Sequence, residues 1–583
     1  LVTGEDVSGG VWFGLSSGAS GLAHYVDGGW KFIGDQSGLN GEDIYNILPS
    51  KDGVLWVMTA HTLQYLRAGD AQFQSTGEFF PRGAALAQDG AGNLWISDNF
   101  RGTRRLPDYL HGATAPPRPT GPLPVVEKAL RQIIVDRDGA IWGATQARGI
   151  FRIPKPNADG EATAIADEQV FGIKQGLSSD NTRTVFEDRE GNIWVGTTMG
   201  LDQFTAPAIV REPAITEQSY FGYSLFSGAS GPLYATDTTS LYAIADDNVP
   251  RKLISGLDRL SGICQGGDGS LYVMQTEGVV RLNGETVTHI ALPPGPDTML
   301  GCAKGADDSI WFAGGTLGVY RLDRAGWKSF LLPEGHGDEW VIAIQPTREG
   351  VIAYSNTKGL FRVDTDPWQL IVDEQTLGVG QVTTLYAGPD GLMAGGRYGL
   401  ARIRDGKAER IRAQDYPWLE SVQGIAQTAA GDTWILCAKG LARVSTKSLD
   451  AAFTKPGSPL EIRWFDARDG IPGPLLPLDG DILATSASGR LWFATTESVA
   501  WIDPARIARN MVPPPVVIAN LSANGRKYAN PRELRLDEGT ANLEIDYTAL
   551  SLSLPERVQF RYRLGHAQSQ PTARRAATGI QAI

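Results

Sequence analysis

Cysteine is nearly absent from this chain: Cys264, Cys302 and Cys437 are all it has in 583 residues. So few thiols exclude a disulfide scaffold and leave the redox compartment open. Histidine is almost as sparse, with His24, His61, His111, His289, His336 and His566 scattered along the chain. No pair has metal-ligand spacing, so no metal site is expected, and nothing calls for a cofactor. No run of about 18 apolar residues occurs, so no segment reads as a membrane-spanning helix. There is no Lys/Arg-rich segment either. With a formal net charge of −12, the composition excludes a nucleic-acid-binding surface. Apolar spacing of 3.6 is missing, which excludes a helical repeat. The chain has no initiator Met and no signal peptide; "LVTGEDVSGGVWFG" already lies inside a repeat, so the chain is expected to begin mid-element.

What is abundant is glycine, 70 residues without a collagen-like period, among Thr, Val, Ile, Trp and Tyr. That mixture predicts many short strands and tight turns. The length is too great for one hydrophobic core, so several domains are expected.

A repeat organises these strands. "EDREGNIWVGTTMGLDQF" (187–204) has strong relatives in "VDRDGAIWGATQARGIFRI" (135–153) and "AKGADDSIWFAGGTLGVYRL" (303–322). The unit is an apolar strand, Asp-x-x-Gly-x, Leu/Ile-Trp and more strand, a glycine turn, then Leu-x-Arg-apolar. Copies centre on Trp12, Trp56, Trp95, Trp142, Trp194, Trp311, Trp434 and Trp492. Tyr234, Tyr272, Ile352 and Met393 replace the Trp, making twelve in all. Asp188 can bond backbone N–H groups of its own turn, and Gly191 and Asn192 tolerate left-handed dihedrals. Trp194 is a flat side chain suited to packing between stacked sheets. A fourth strand is expected in the variable remainder, as in "WKSFLLP" (327–333). Four strands and one Trp every forty or so residues predict β-propeller blades.

Twelve blades are too many for one ring. "FTAPAIVREPAITEQ" (204–218) lacks the fourth-strand pattern and carries two prolines, which places a boundary near 210. The fold expected is all-β: a first β-propeller over 1–210 with about five blades visible, then a seven-bladed β-propeller over 211–511. The first is read as a seven-bladed ring missing two blades, with an irregular smaller ring as the alternative. A proline-rich hinge at 510–528 leads into alternating strands, "ANLEIDYTALSLSLPERVQFRYRL" (541–564). Residues 512–583 therefore read as an incomplete Ig-like β-sandwich.

These residues resemble the two-component regulator propeller repeat. The segment around "LEIDYTALSLSLPERVQFRYRL" is similar to the start of the three-tyrosine domain that follows such propellers. The resemblance implies the periplasmic sensor region of an inner-membrane receptor of the sensor histidine kinase type. It implies a homodimer in the full-length receptor, a carbohydrate or other small ligand, and an output domain beyond a membrane helix. From about residue 565 the sequence departs from that pattern: "GHAQSQPTARRAATGIQAI" has no aromatics. It reads as a frame change or a misplaced gene end, with a natural flexible tail as the alternative. No kinase box or phosphoacceptor region is present in the sequence, so no phosphotransfer and no catalytic residue is expected of this chain.

The turn between second and third strands recurs at one place in every blade, which makes its occupants comparable. In the second ring it carries Lys358, then Arg397 and Tyr398, then Lys439; in the first it carries Arg101 and Arg148. A basic arc with a Tyr suits an acidic sugar chain, with guanidinium forks on carboxylates and a ring under a sugar. Solvated turn charges are the plain alternative. Trp340, Tyr416 and Trp418 fall outside the Trp series, on loops, and Trp340 is a candidate contact. The Trp series itself is expected in the core. Cys264 and Cys302 take similar first-strand positions in adjacent blades; they are read as two buried free thiols, with pairing in an oxidising compartment as the alternative. Three functions follow: a ligand-sensing module, a two-propeller polysaccharide hydrolase with paired carboxylates, or a protein-binding scaffold.

Overall fold

A computed structural model describes the chain apart from residues 1, 16–20, 40–41, 81–83, 115–129, 155, 157–167, 206, 216–222, 229–230, 246–248, 259, 276–277, 296–298, 316–317, 332–338, 476–480, 508–512, 532, 554, 556–557, 559, 563–574 and 578–583. The chain forms two compact units. One joins Leu1–Ala206 with Asn510–Ile583; the other is Pro207–Arg509.

In the first unit the repeat's Asp turn makes the blade. Asp188 Oδ1 accepts from the backbone N–H of Glu190 and of Asn192, which holds the turn between the strands Thr182–Glu187 and Ile193–Thr197. Its Oδ2 accepts from the indole N–H of Trp194 at 2.8 Å. Asp6, Asp89 and Asp136 repeat the arrangement, each bonding two N–H groups of its turn and the indole of Trp12, Trp95 or Trp142. One carboxylate thus ties the turn to the aromatic that packs beside it.

Five antiparallel sheets follow one another; four carry this Asp turn, and the sheet around Trp56 has Ser50 in its place, its hydroxyl donating to the Val54 carbonyl at 2.7 Å. Three have four strands and two have three, among the described residues. Their first strands lie side by side in chain order: Val2–Glu5, Ile44–Pro49, Ala85–Gln88, Leu130–Val135 and Thr182–Glu187. Trp56, Trp95 and Trp142 are buried between sheets, while Trp12 and Trp194 are half-buried. A large apolar side chain buried in this way contributes about 1.5–3 kcal/mol.

The same unit contains a three-stranded sheet ordered Arg526–Ala529, Val516–Ala523, Leu543–Ala549. Register places Ile518 opposite Tyr547 and Leu521 opposite Ile545, so one face is apolar. Phe560–Tyr562 pairs with Arg575–Ala577, so part of the stretch beyond 565 is paired backbone; most of that stretch lies outside the described residues.

The second unit is a closed ring of seven four-stranded sheets. Innermost strands touch in cyclic order: Ser224–Ser227, Gly262–Gln265, Gly301–Lys304, Val341–Thr347, Val382–Gly388, Val422–Gln427, Leu483–Thr485, and back to Ser224–Ser227. Six sheets take four consecutive strands. The seventh borrows its outermost strand from the start of the unit: Ile209–Arg211 pairs with Val499–Ile502. The stretch without a visible fourth-strand pattern therefore holds a strand after all. Three residues are too few to display an alternation, but Ile209 is buried and completes the sheet. The expected fourth strand at 327–333 is Gly326–Leu331.

One expectation is overturned. Cys264 and Cys302 are not free thiols but a disulfide, with Cα atoms 5.8 Å apart. They sit on the inner strands of adjacent blades, where the ring brings residues 38 apart in sequence side by side. Cys437 is the free, buried thiol. Tyr416, outside the Trp series, is buried, and its hydroxyl donates to the Ser458 carbonyl at 2.6 Å.

Candidate ligand-binding face of the seven-bladed ring

The turn Arg397–Tyr398 between Gly391–Gly396 and Gly399–Arg404 is built by glycine. Gly399 has φ +138°, and a Cβ there would lie 2.2 Å from the Ile411 carbonyl oxygen, so only glycine allows the third strand to start so tightly. Gly380 leaves room for the Tyr398 ring, which a Cβ would meet at 2.7 Å. Tyr398 N–H donates to the Val379 carbonyl at 2.7 Å, fixing the turn. The result is an aromatic ring 56% exposed, with the Arg397 guanidinium 5.7 Å from its centroid.

Arg397 and Lys439, from neighbouring blades, line one recess of about 440 Å³ with Gln381, Thr383, Glu420, Ser421 and Ala438. Lys439 is not a lone cation: its Nζ lies 3.0 Å from Glu420 Oε2, both side chains being well exposed. Such a pair is worth little to stability and remains open to competition by a ligand. Glu420 was not legible as a site residue, because it lies before a strand rather than in the recurring turn.

Lys358 departs from the basic arc more sharply. It lies 3.0 Å from Glu339, whose carboxylate is buried and also accepts from the Ser355 hydroxyl at 2.9 Å. Removing Lys358 would leave a buried charge uncompensated, so the lysine is committed to the fold. Beside it, Trp340 is 39% exposed. The Trp340 N–H donates to Asn356 Oδ1 at 2.8 Å, and the Asn356 N–H donates back to the Trp340 carbonyl at 3.0 Å. The exposed features of this face are thus Tyr398, Arg397, Lys439 and Trp340.

In the first unit the two expected residues differ in their surroundings. Arg101 lies 2.7 Å from Glu78 and sits over the Phe80 ring. Arg104 joins it, pairing with Glu78 at 3.0 Å and Asp98 at 2.6 Å, and both carboxylates are buried. Arg101 therefore belongs to an internal ion network. Arg148 is exposed. A recess of about 460 Å³ in this unit is lined by Lys51, Trp56, Arg105 and His111 among others, and by neither of them.

A second cavity in the ring, of about 60 Å³, is bounded by inner strands: Gly262, Gly301, Gln345, Thr383 and Thr384 line it with Asp481. Thr383 borders both this cavity and the recess. Asp481 is solvent-exposed by surface area where it lines the cavity, and desolvation by the surrounding chain raises its carboxyl to about 6. No sequence pattern pointed to it.

Residues 176–199 match the family described as two component regulator propeller. No curated protein matches the chain in sequence. Among solved structures, it is similar to the extracellular domain of BT3049 from B. thetaiotaomicron, assigned to a hybrid two component system. The TM-score is 0.67 at 16% identity, over 99% of this chain and 80% of that one. It is also similar to the extracellular domain of BT4673 from the same organism, assigned to a one component system, with a TM-score of 0.43 at 15% identity over 99% and 82%. At such identities the likeness to BT3049 establishes the fold.

Proposed function

We propose that this chain, a carrier of the two component regulator propeller repeat, is the extracytoplasmic ligand-sensing region of a signalling receptor. Its ligand is an oligosaccharide held on the Arg397–Tyr398 face of the second ring. The observation that carries this reading is an exposed aromatic ring beside the guanidinium of Arg397, a residue that lines a recess of about 440 Å³. A sugar presents a flat C–H face to an aromatic and hydroxyl or carboxylate oxygens to a guanidinium. Lys439 is freed for an anionic group when that group displaces Glu420. The buried Glu339 keeps Lys358 out of this role.

Two observations support the compartment. The likeness in fold is to extracellular domains, and the Cys264–Cys302 disulfide suits an oxidising environment. The chain acts by binding, and in the receptor a ligand shifts the balance between dimer states, which requires different affinity for each. Signalling passes to an output domain of the receptor.

Titration calorimetry with neutral and uronic-acid oligosaccharides tests the reading. Binding is expected, with Arg397→Ala and Tyr398→Ala each weakening it by about tenfold, equal to about 1.4 kcal/mol. Reducing ends are measured in the same samples. Binding untouched by both substitutions would remove this face from the function, and release of new reducing ends would make the chain a hydrolase.

A further inference from the structure

The turn that opens the last sheet of the first propeller also holds a segment from the far end of the chain. Glu190 Oε2 accepts three hydrogen bonds: from Leu552 N–H at 2.9 Å, Ser553 N–H at 2.7 Å and the Ser553 hydroxyl at 2.8 Å. The Ser553 hydroxyl also meets the Asn192 side-chain amide, at 2.9 Å from Nδ2 and 3.1 Å from Oδ1. Gln203 Nε2 donates to the Leu552 carbonyl at 3.0 Å. Asn192 is itself fixed, since its Nδ2 donates to Asp188 Oδ2 at 2.8 Å. Burial would raise the Glu190 carboxyl, but the hydrogen bonds from Ser553, Ser551 and Leu552 outweigh it and hold the group below its ordinary value.

These contacts join residues 363 apart in sequence, with the whole second unit between them. Apolar burial does little to hold the segment, because Leu550 and Leu552 are 51% and 55% exposed. The attachment is polar and centred on one carboxylate oxygen. A charge-assisted contact of that kind is strong while formed and is lost as a unit when the carboxylate leaves.

We propose that Glu190 and Ser553 form a latch that fixes the C-terminal sheet to the first propeller and couples movement of one to the other. Closing the latch pins Leu552–Ser553, three residues beyond the strand Leu543–Ala549, to the turn that also positions Trp194. Opening it frees the sheet to reorient while the propeller sheet keeps its own Asp188 staple. The latch stands on geometry alone; its use in signalling rests on the receptor reading above.

The test uses the full chain without ligand, so it is separate from any test of binding. Spin labels go on Arg183→Cys and Lys527→Cys, both exposed positions, while the native free thiol, Cys437, is buried. Electron–electron distance measurement should give one narrow distribution, at least doubled in width by Glu190→Ala and by Ser553→Ala, with Glu190→Gln between. Amide exchange at Leu552 and Ser553 should accelerate at least tenfold in Glu190→Ala, with Ile193–Thr197 still protected as the control for folding. A broad distribution in the native chain, or an unchanged width and unchanged exchange in both alanine variants, would overturn the latch.

Discussion

One carboxylate serving a turn and an indole at once is the residue-scale device of four of the first unit's five sheets. The second unit lacks it at matching positions. Thr428 and Ser486 stand where the Asp would be, and the indole N–H groups of Trp434 and Trp492 are buried without a partner. A buried donor left unsatisfied costs about 1–3 kcal/mol. Asp188→Ala should therefore lower the stability of the first unit by about 2 kcal/mol, read as faster amide exchange across Ile193–Thr197. The reverse change, Thr428→Asp, should stabilise the second unit by about 1 kcal/mol as the new carboxylate reaches Trp434. Destabilisation by that variant would show that desolvating the charge outweighs the bond gained.

At the scale of elements, the second ring closes through one short strand. Ile209–Arg211 contributes three residues, yet Ile209 is buried in the seventh sheet's core beside Trp492, Phe493 and Ile502. Glu212 N–H extends the pairing to the Val499 carbonyl at 2.9 Å. Ile209→Ala leaves a cavity at the point where the ring's two ends meet, at a cost of about 2–5 kcal/mol. Calorimetry should show the transition of Pro207–Arg509 shifted down and that of the first unit unmoved. An unshifted second transition would mean that the seventh sheet does not depend on its borrowed strand. The Cys264–Cys302 disulfide reinforces the same ring between its second and third blades.

At the scale of the whole molecule, the two units should answer differently to pH. In the first unit Asp6, Asp89, Asp188 and Glu190 are held low. Burial raises each of them, but hydrogen bonds to the ionised form outweigh it, taking Asp6 to about 2. Groups lowered in the folded state add stability above their unfolded values, near pH 4, and lose it as pH falls through the folded ones. The second unit has lowered groups too, at Asp268, Asp307 and Asp373. Among the described residues, it alone combines these with the cavity carboxyl of Asp481, raised to about 6, and with Glu212 and Glu374, both raised by burial. Between about pH 4 and 6 the folded Asp481 keeps a proton that the unfolded chain has released, so stability falls as pH rises. Hydrogen exchange resolved by unit should show the second loosening across that window while the first holds steady, and both loosening below pH 4. Asp481→Asn should flatten only part of the second unit's decline, because Asp481 is exposed and water screens it, while Glu212 and Glu374 carry the rest; an unchanged slope would assign all of it to Glu212 and Glu374.

The fold was largely legible because its signals are local. Asp188, Gly191 and Trp194 lie within seven residues, and turn chemistry and strand alternation act over that range. Recurrence of the pattern gave the twelve sheets, and the Trp series gave core positions except at Trp12 and Trp194, which are half-buried. The candidate face was legible only in part: Tyr398 and Arg397 stand exposed on their turn, but Glu339 claims Lys358 and the Arg101 side chain turns into an ion network. Which carboxylate meets which cation depends on rotamers and on the neighbouring blade, and no spacing encodes either. The ring closure at Ile209, the Cys264–Cys302 bond and the Glu190–Ser553 latch join residues 38 to 363 apart. By itself, the sequence determined the blades, since each blade is a local solution to strand and turn. Only the tertiary structure decided what the blades do to one another, because those contacts exist only after the chain has closed on itself.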